Sequence, residues 1–342
     1  MESSRARRRR ARPSRGRMFV HTALAVAAIA GGTAGGTAYV TARAHSGPVS
    51  SAKSPSPASS SSSSSSASAS GEESVEPAAE PTVDRVALLT KAMKSVTVPA
   101  SAKVSAAVLS LDSGESAGYG DAAFDTASIV KVDILAALLL QAQDAGRHLT
   151  AAEKTYATKM IENSDNASAT ALWNTIGRAD GLDAANKRFG LTETEGGEGA
   201  LWGLTQTTAA DQLVLLQQVF GDDSMLSEAS RAYLQRLMKN IEADQHWGVS
   251  AVADGSGWAL KNGWLARSTT GLWDVNSIGR VTVDGTAYLV AVLSNGSASQ
   301  AKGISLVEAA ARAAVSAFTD GDTASVAVAA SASATETQTE TN

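Results

Sequence analysis

Two residues of complementary chemistry stand three apart in "FDTASIVKVDILAALLL" (124–140): Ser128, which can attack a carbonyl, and Lys131, which can take its proton. A serine hydroxyl is a poor nucleophile until a neighbouring base accepts that proton. Residues three apart on a helix share a face, and a lysine becomes a base once burial or a second cation lowers its pKa. At the start of a helix the free N–H groups also favour developing negative charge. The plainer reading is the polar lip of a buried helix, with Lys131 snorkelling to solvent. Spacing alone does not decide. Ser-x-x-Lys occurs at Ser50–Lys53, Ser128–Lys131 and Ser299–Lys302, and of these only the middle one opens a long apolar run. Histidine is a weak rival as base. His148 and His246 fall in the foldable part, and no G-x-S-x-G elbow accompanies either. The chain has no cysteine, so thiolate chemistry and disulfides are excluded.

Other polar groups must be brought to this pair by the elements between them. "VDRVALLTKAMKSV" has helical apolar spacing. "KVSAAVLSLDSG" reads as a strand closed by an Asp-Ser-Gly turn, and "SAGYGD" as its return. The run after Ser128 is apolar on nearly every face and predicts a buried helix ending near Gly146. "LTAAEKTYATKMIENSDNASATALWNTIG" predicts two helices broken at Asn163–Asn166, with Thr150 and Glu153 as a capping box. Helices are also expected in "GLDAANKRFGL", "TTAADQLVLLQQVF" and "SEASRAYLQRLMKNI". The period then changes to that of strands in "WALKNGWLA", "WDVNSIGRVTVDG" and "TAYLVAVLSNG", before a closing helix in "ISLVEAAARAAVSAF". This is an α+β plan whose sheet draws strands from both ends of the domain.

Composition divides the 342 residues. Residues 1–17 hold eight arginines and one glutamate, a basic segment of cytoplasmic character. Residues 18–44 are almost uncharged and long enough to span a bilayer. They read as a signal anchor, or as a signal peptide cleaved after Ala44. Residues 45–81 are rich in Ser, Ala and Pro, with eight consecutive serines from Ser59, and suit a disordered linker. Residues 82–320 form the domain and 321–342 a disordered tail. The sequence therefore expects an extracytoplasmic domain tethered to the membrane, or secreted if the segment is cleaved. Net charge is −5; with the basic head set aside, 21 basic residues face 33 acidic ones. Such a domain is not built for nucleic acid. Nothing in the sequence calls for a metal or an organic cofactor, and a monomer is expected.

Ser128-x-x-Lys131, then Ser164-Asp165-Asn166, then Lys261-Asn262-Gly263 in a predicted strand, are three motifs in an order that resembles the penicillin-recognising serine hydrolases. These comprise class A β-lactamases, penicillin-binding proteins and D-alanyl-D-alanine peptidases. The resemblance runs from about Val83 to Ala317 and is greatest to class A β-lactamases. It implies an antiparallel sheet flanked by terminal helices, plus an all-helical subdomain. By the same resemblance Ser128 is acylated, Lys131 accepts or relays its proton, and Ser164 passes a proton to the leaving nitrogen. Asn166 positions substrate, while Lys261, Asn262 and Gly263 form the strand that holds its carboxylate. The backbone N–H groups of Ser128 and Trp264 form the oxyanion hole. Arg280 is either a further carboxylate partner or a surface arginine.

Three departures stand out. Asn262 replaces the usual Thr or Ser of the third motif. Ser128 and Ser164 are only 36 residues apart, so one wall of the cleft is shortened. The loop "LTETEGGEGALWGLTQ" lacks the family's Glu-x-x-Leu-Asn pattern and offers Glu193, Glu195 and Glu198 instead. Trp202, Trp247, Trp258, Trp264 and Trp273 either line a cleft or pack the core. The implied substrates are β-lactams, placing the protein in antibiotic response, or D-Ala-D-Ala peptidoglycan peptides. A non-catalytic cell-wall-binding or sensor domain, or an esterase of relaxed specificity, are the alternatives.

Overall fold

The computed structural model describes residues 83–336. The expected basic head, apolar span and linker lie outside them, as do residues 337–342. Among the described residues no helix is long and apolar enough to cross a membrane.

A five-stranded antiparallel sheet has the order β2-β1-β7-β6-β5. Its strands are β1 (Lys103–Ser110), β2 (Ser116–Tyr119), β5 (Trp258–Ala266), β6 (Trp273–Val283) and β7 (Thr286–Ser297). The hairpin between β6 and β7 turns at Asp284 and Gly285, both with positive φ (49° and 81°). That conformation suits an Asp-Gly pair. Helices α1 (Arg85–Met93) and α8 (Gln300–Glu336) pack on one face of the sheet. The other face meets α2 (Val130–Asp144), α3 (Ala151–Glu162), α4 (Asn166–Ile176), α5 (Arg178–Phe189), α6 (Ala209–Phe220) and α7 (Glu228–Lys239). The class A β-lactamase-like α+β plan expected from the sequence is the one observed.

Strand periodicity sorts the side chains between two cores. Along β7, Leu289, Ala291 and Leu293 face the helical block, while Tyr288, Val290 and Val292 face α1 and α8. Along β5, Ala259 belongs to the first side and Leu260 to the second. Helix α2 buries Ile134, Leu135, Leu138 and Leu140. At roughly 1.5–3 kcal/mol for each buried side chain, it is a firm floor for whatever its first turn carries. The capping box of α3 is formed: the Glu153 N–H donates to Thr150 Oγ1 (3.2 Å), and the Thr150 N–H to a Glu153 carboxylate oxygen (2.7 Å).

Three features differ from expectation. Ser128 lies in a short 3-10 turn, Ala127–Ile129, and α2 proper begins at Val130. Ala127 has φ 48°, a left-handed kink at the entry to the turn, which then runs into α2 through right-handed residues at Ile129 and Val130. A two-stranded ribbon joins β3 (Phe124–Asp125) to β4 (Gln206–Thr207), each too short to show a period. Finally, α8 is described as far as Glu336, into the segment from 321 that the sequence reads as a tail. The many alanines of "DTASVAVAASASATE" supply helix propensity there.

Candidate active site

The site is assembled at the seam between the sheet and the helical block. Lys131, wholly buried in the first turn of α2, sends its Nζ to Ser128 Oγ at 2.9 Å. The same Nζ reaches the Ser164 carbonyl oxygen at 2.7 Å, Ser164 Oγ at 3.0 Å and Asn166 Oδ1 at 2.9 Å. Ser164 occupies the break between α3 and α4 with φ 55°. Asp165 beside it caps α4 by accepting from the Ser168 N–H at 2.7 Å. The left-handed kink lets Ser164 present its carbonyl and its hydroxyl to one lysine, at a cost of about 1–3 kcal/mol in backbone strain.

From the sheet, Lys261 on β5 brings a second buried ammonium group to Ser164 Oγ at 3.0 Å. Its other contacts are the Asn262 carbonyl oxygen at 2.9 Å and Gln245 Oε1 at 3.5 Å. An unbroken chain results: Ser128 Oγ, Lys131 Nζ, Ser164 Oγ, Lys261 Nζ. Burial drives the Lys131 pKa down to about 7, against a smaller opposing pull from Asp165. Burial, and then the charge of Lys131, hold Lys261 well below the usual lysine range. A lysine poised near neutrality and touching a serine hydroxyl meets the requirement for a general base.

Gly263 explains how β5 comes so close. A Cβ there would lie 2.7 Å from the Ser128 backbone nitrogen, 2.7 Å from the Thr126 carbonyl oxygen and 2.9 Å from the Ile129 nitrogen. Glycine thus lets the edge strand lie against the Ser128 turn. The turn is held from the sheet as well. Buried Asn276 on β6 donates to the carbonyls of Asp125 (2.9 Å) and Thr126 (3.0 Å) and accepts from the Ser294 N–H (3.0 Å). Sequence reasoning passed over Asn276. In "WDVNSIG" it stands close to the equally polar Asp274 and Ser277, so no local signal singles it out. Asp125 adds links to Gln206 and Arg267.

Ser128, Lys131, Ser164, Asn166, Lys261 and Gly263 are therefore brought together, and Trp264 follows directly on β5. Asn262 is not part of the cleft. Period two turns it to the opposite face from Lys261, where it is wholly buried and donates to the carbonyls of Gln245 (2.8 Å) and Trp247 (3.1 Å). Its motif position implied a hold on the substrate, whereas its amide donors are spent on the chain's own carbonyls. Arg280 is also elsewhere: it is exposed on β6 opposite Ala259, beside α7.

The loop before α6 was expected to offer a glutamate. Its backbone is pinned by Asp211, which accepts from the Glu193 N–H at 2.8 Å, and by Asp183, which accepts from the Gly196 N–H at 2.8 Å. Glu193, Glu195 and Glu198 are all exposed. Among the described residues none of their carboxylates makes a hydrogen bond or ion pair. What the loop turns toward Lys131 is Trp202, whose ring lies 5.0 Å from Nζ and whose indole N–H donates to Thr170 Oγ1 at 3.1 Å. Trp247, Trp258, Trp264 and Trp273 pack instead with the core on the α8 side of the sheet, the Trp247 ring 5.8 Å from that of Trp264.

The profile described as "Beta-lactamase enzyme family" matches residues 146–318, a little over half of the chain. The match begins beyond Ser128 and Lys131 and takes in Ser164 and Lys261. No curated protein matches the chain. Solved structures share the fold. A mutant of PBP-A, in an acyl-enzyme complex with penicillin G, is 23% identical with TM-score 0.59, covering 68% of this chain and 97% of its own. TLA-3 extended-spectrum beta-lactamase is 16% identical with TM-score 0.59, covering 68% and 98%. A beta lactamase from Xanthomonas campestris pv. campestris is 20% identical with TM-score 0.54, covering 67% and 95%.

Proposed function

The chain belongs to the beta-lactamase enzyme family, and we propose that within it this protein is a serine acyl-enzyme former that takes β-lactams or D-Ala-D-Ala peptides and releases them slowly. The observation that carries this reading is the chain from Ser128 Oγ through Lys131 and Ser164 to Lys261. Neutral Lys131 accepts the Ser128 proton as Oγ bonds to the amide carbonyl carbon. The carbonyl oxygen takes the negative charge, met by the N–H groups of Ser128 and Trp264. As the C–N bond breaks, the proton passes from Lys131 through Ser164 to the leaving nitrogen. Lys131 is then neutral again and Ser128 is an ester. Asn166, exposed at the cleft and bonded to Lys131, positions the substrate amide.

Hydrolysis of that ester needs an activated water. The exposure of Glu193, Glu195 and Glu198, and the Trp202 ring lying over Lys131, support an acyl-enzyme poorly served with base. With Asn262 turned inward, β5 offers no side-chain donor from that position to a substrate carboxylate, which supports loose initial binding. Export with an N-terminal membrane anchor is part of the proposal, resting on the composition of residues 1–44 and checked by cell fractionation.

The test is intact mass after exposure to benzylpenicillin, with Ser128→Ala alongside. A persistent adduct confined to the wild type is expected. Rapid cleavage of penicillin by unmodified protein would overturn slow release. Neither adduct nor cleavage would overturn penicillin recognition, and an activated ester would then separate an esterase from a binding domain.

A further inference from the structure

Arg280, displaced from the catalytic seam, belongs to a second concavity. Between the C-terminal half of α7 and the first residues of β5 lies a cleft of about 390 Å³. Arg236 and Lys239 enter it from α7 and Arg280 from β6, with Trp258, Ser256 and Thr282 completing its wall. All three cations are exposed, and no carboxylate lines the cleft.

We propose that this cleft binds an oxyanion carrying several negative charges, on phosphate or carboxylate groups, independently of the chemistry at Ser128. Arg236 and Lys239 alone would be unremarkable, because cations in a last helical turn complement the carbonyl dipole. Arg280 has no such reason to be there. It projects from β6, opposite Ala259, and its side chain makes no ion pair or hydrogen bond among the described residues. Neither Arg236 nor Lys239 is ion-paired among them either. Arg236 lies over Tyr233 at 5.2 Å, and Lys239 lies over Trp258 at 4.8 Å while donating to the Ser256 carbonyl. Three unpaired cations thus converge on one hollow in a domain whose acidic residues outnumber its basic ones, with ample opportunity to place a carboxylate. Their mutual repulsion is relieved by a bound anion.

The geometry also indicates the kind of anion. Two guanidinium groups favour paired hydrogen bonds to planar or tetrahedral oxyanions, and a lysine adds a point charge. The hollow is larger than one phosphate, and the cations enter from two different elements, so several charges spaced along one ligand fit better than one. Trp258 is half-buried and held edge-on by the His246 ring at 4.5 Å. It supplies a rigid apolar wall for the uncharged part of such a ligand.

Titration of the protein with tripolyphosphate, and separately with citrate, at low salt tests this by calorimetry and by the change in tryptophan fluorescence that Trp258→Phe abolishes. Saturable binding of at least one anion is expected, weakened about tenfold or more in Arg236→Ala/Arg280→Ala. The anion bound more tightly identifies phosphate or carboxylate as the native group. Arg280→Gln, which keeps the side-chain bulk, should weaken binding in the same direction without changing the melting temperature. No saturable binding of either anion, or binding that the double variant keeps, would overturn the proposal. Neither outcome depends on whether Ser128 is acylated.

Discussion

Replacing Gly263 with alanine should disable acylation while leaving the protein folded. The added Cβ would stand 2.7 Å from the Ser128 nitrogen, 2.7 Å from the Thr126 carbonyl oxygen and 2.9 Å from the Ile129 nitrogen. All three neighbours are backbone, so no side chain can swing aside. Ordinary contact lies near 3.4 Å, so β5 and the 3-10 turn must separate by about 0.7 Å. The turn is tied to β6 by Asn276 and cannot retreat freely. The edge strand therefore moves, and the Trp264 N–H moves with it, away from the Ser128 N–H. Loss of one oxyanion donor costs about 10²–10³ in rate, and a shift near 1 Å alone about 10². Overpacking should cost about 1–3 kcal/mol of stability. The assay is the second-order rate of acylation by a fluorescent penicillin, with the melting temperature measured in parallel. Acylation at the wild-type rate, or a loss that merely tracks unfolding, would refute the argument that this glycine sets the distance between strand and nucleophile.

Acylation should rise with pH through about 7, because Lys131 accepts a proton only when neutral and its burial places that transition there. A rate still climbing from pH 8 to 10 would mean a different base. Trp202→Ala should shorten the acyl-enzyme lifetime by admitting water beside Lys131. The gain should stay within about tenfold, since no carboxylate base is added, and decay of the adduct by mass spectrometry measures it. Asn262→Ala should cost about 2–4 kcal/mol by stranding the carbonyls of Gln245 and Trp247. Its folded fraction should acylate near the wild-type rate, which a thermal melt and the penicillin assay check together.

The sequence made the element order legible because period and punctuation agree in most segments. Thr150 with Glu153, Asp284-Gly285 and the apolar run of α2 each carry a local signal that tertiary structure did not override. Ser128, Lys131, Ser164 and Lys261 were legible through motif order. The place of Asn262 was not legible that way, because a motif is a string, whereas a strand alternates. Position 262 belongs to the face of Leu260, and its amide is taken by the chain itself. Trp202 and Asn276 were hidden because their roles arise from contacts across 71 and 150 residues of chain, to Lys131 and Thr126. No local pattern encodes such contacts. The loop glutamates were visible, but their exposure depends on how Asp183 and Asp211 pin the backbone.

The two buried lysines also set a thermodynamic burden. Folding takes Lys131 from an ordinary value of 10.5 to about 7. Between those pH values the unfolded chain binds the proton more readily than the native one, so stability climbs as the solution is made alkaline and is lowest below 7. The displacement corresponds to something on the order of 5 kcal/mol withheld from the fold at acid pH, and Lys261 is displaced in the same direction. The reactive seam is thus held under tension by the two packed cores around it. An apolar residue in place of Lys131 would lift that burden at acid pH, but would strand the Ser164 carbonyl and the Asn166 side-chain oxygen that Lys131 now serves.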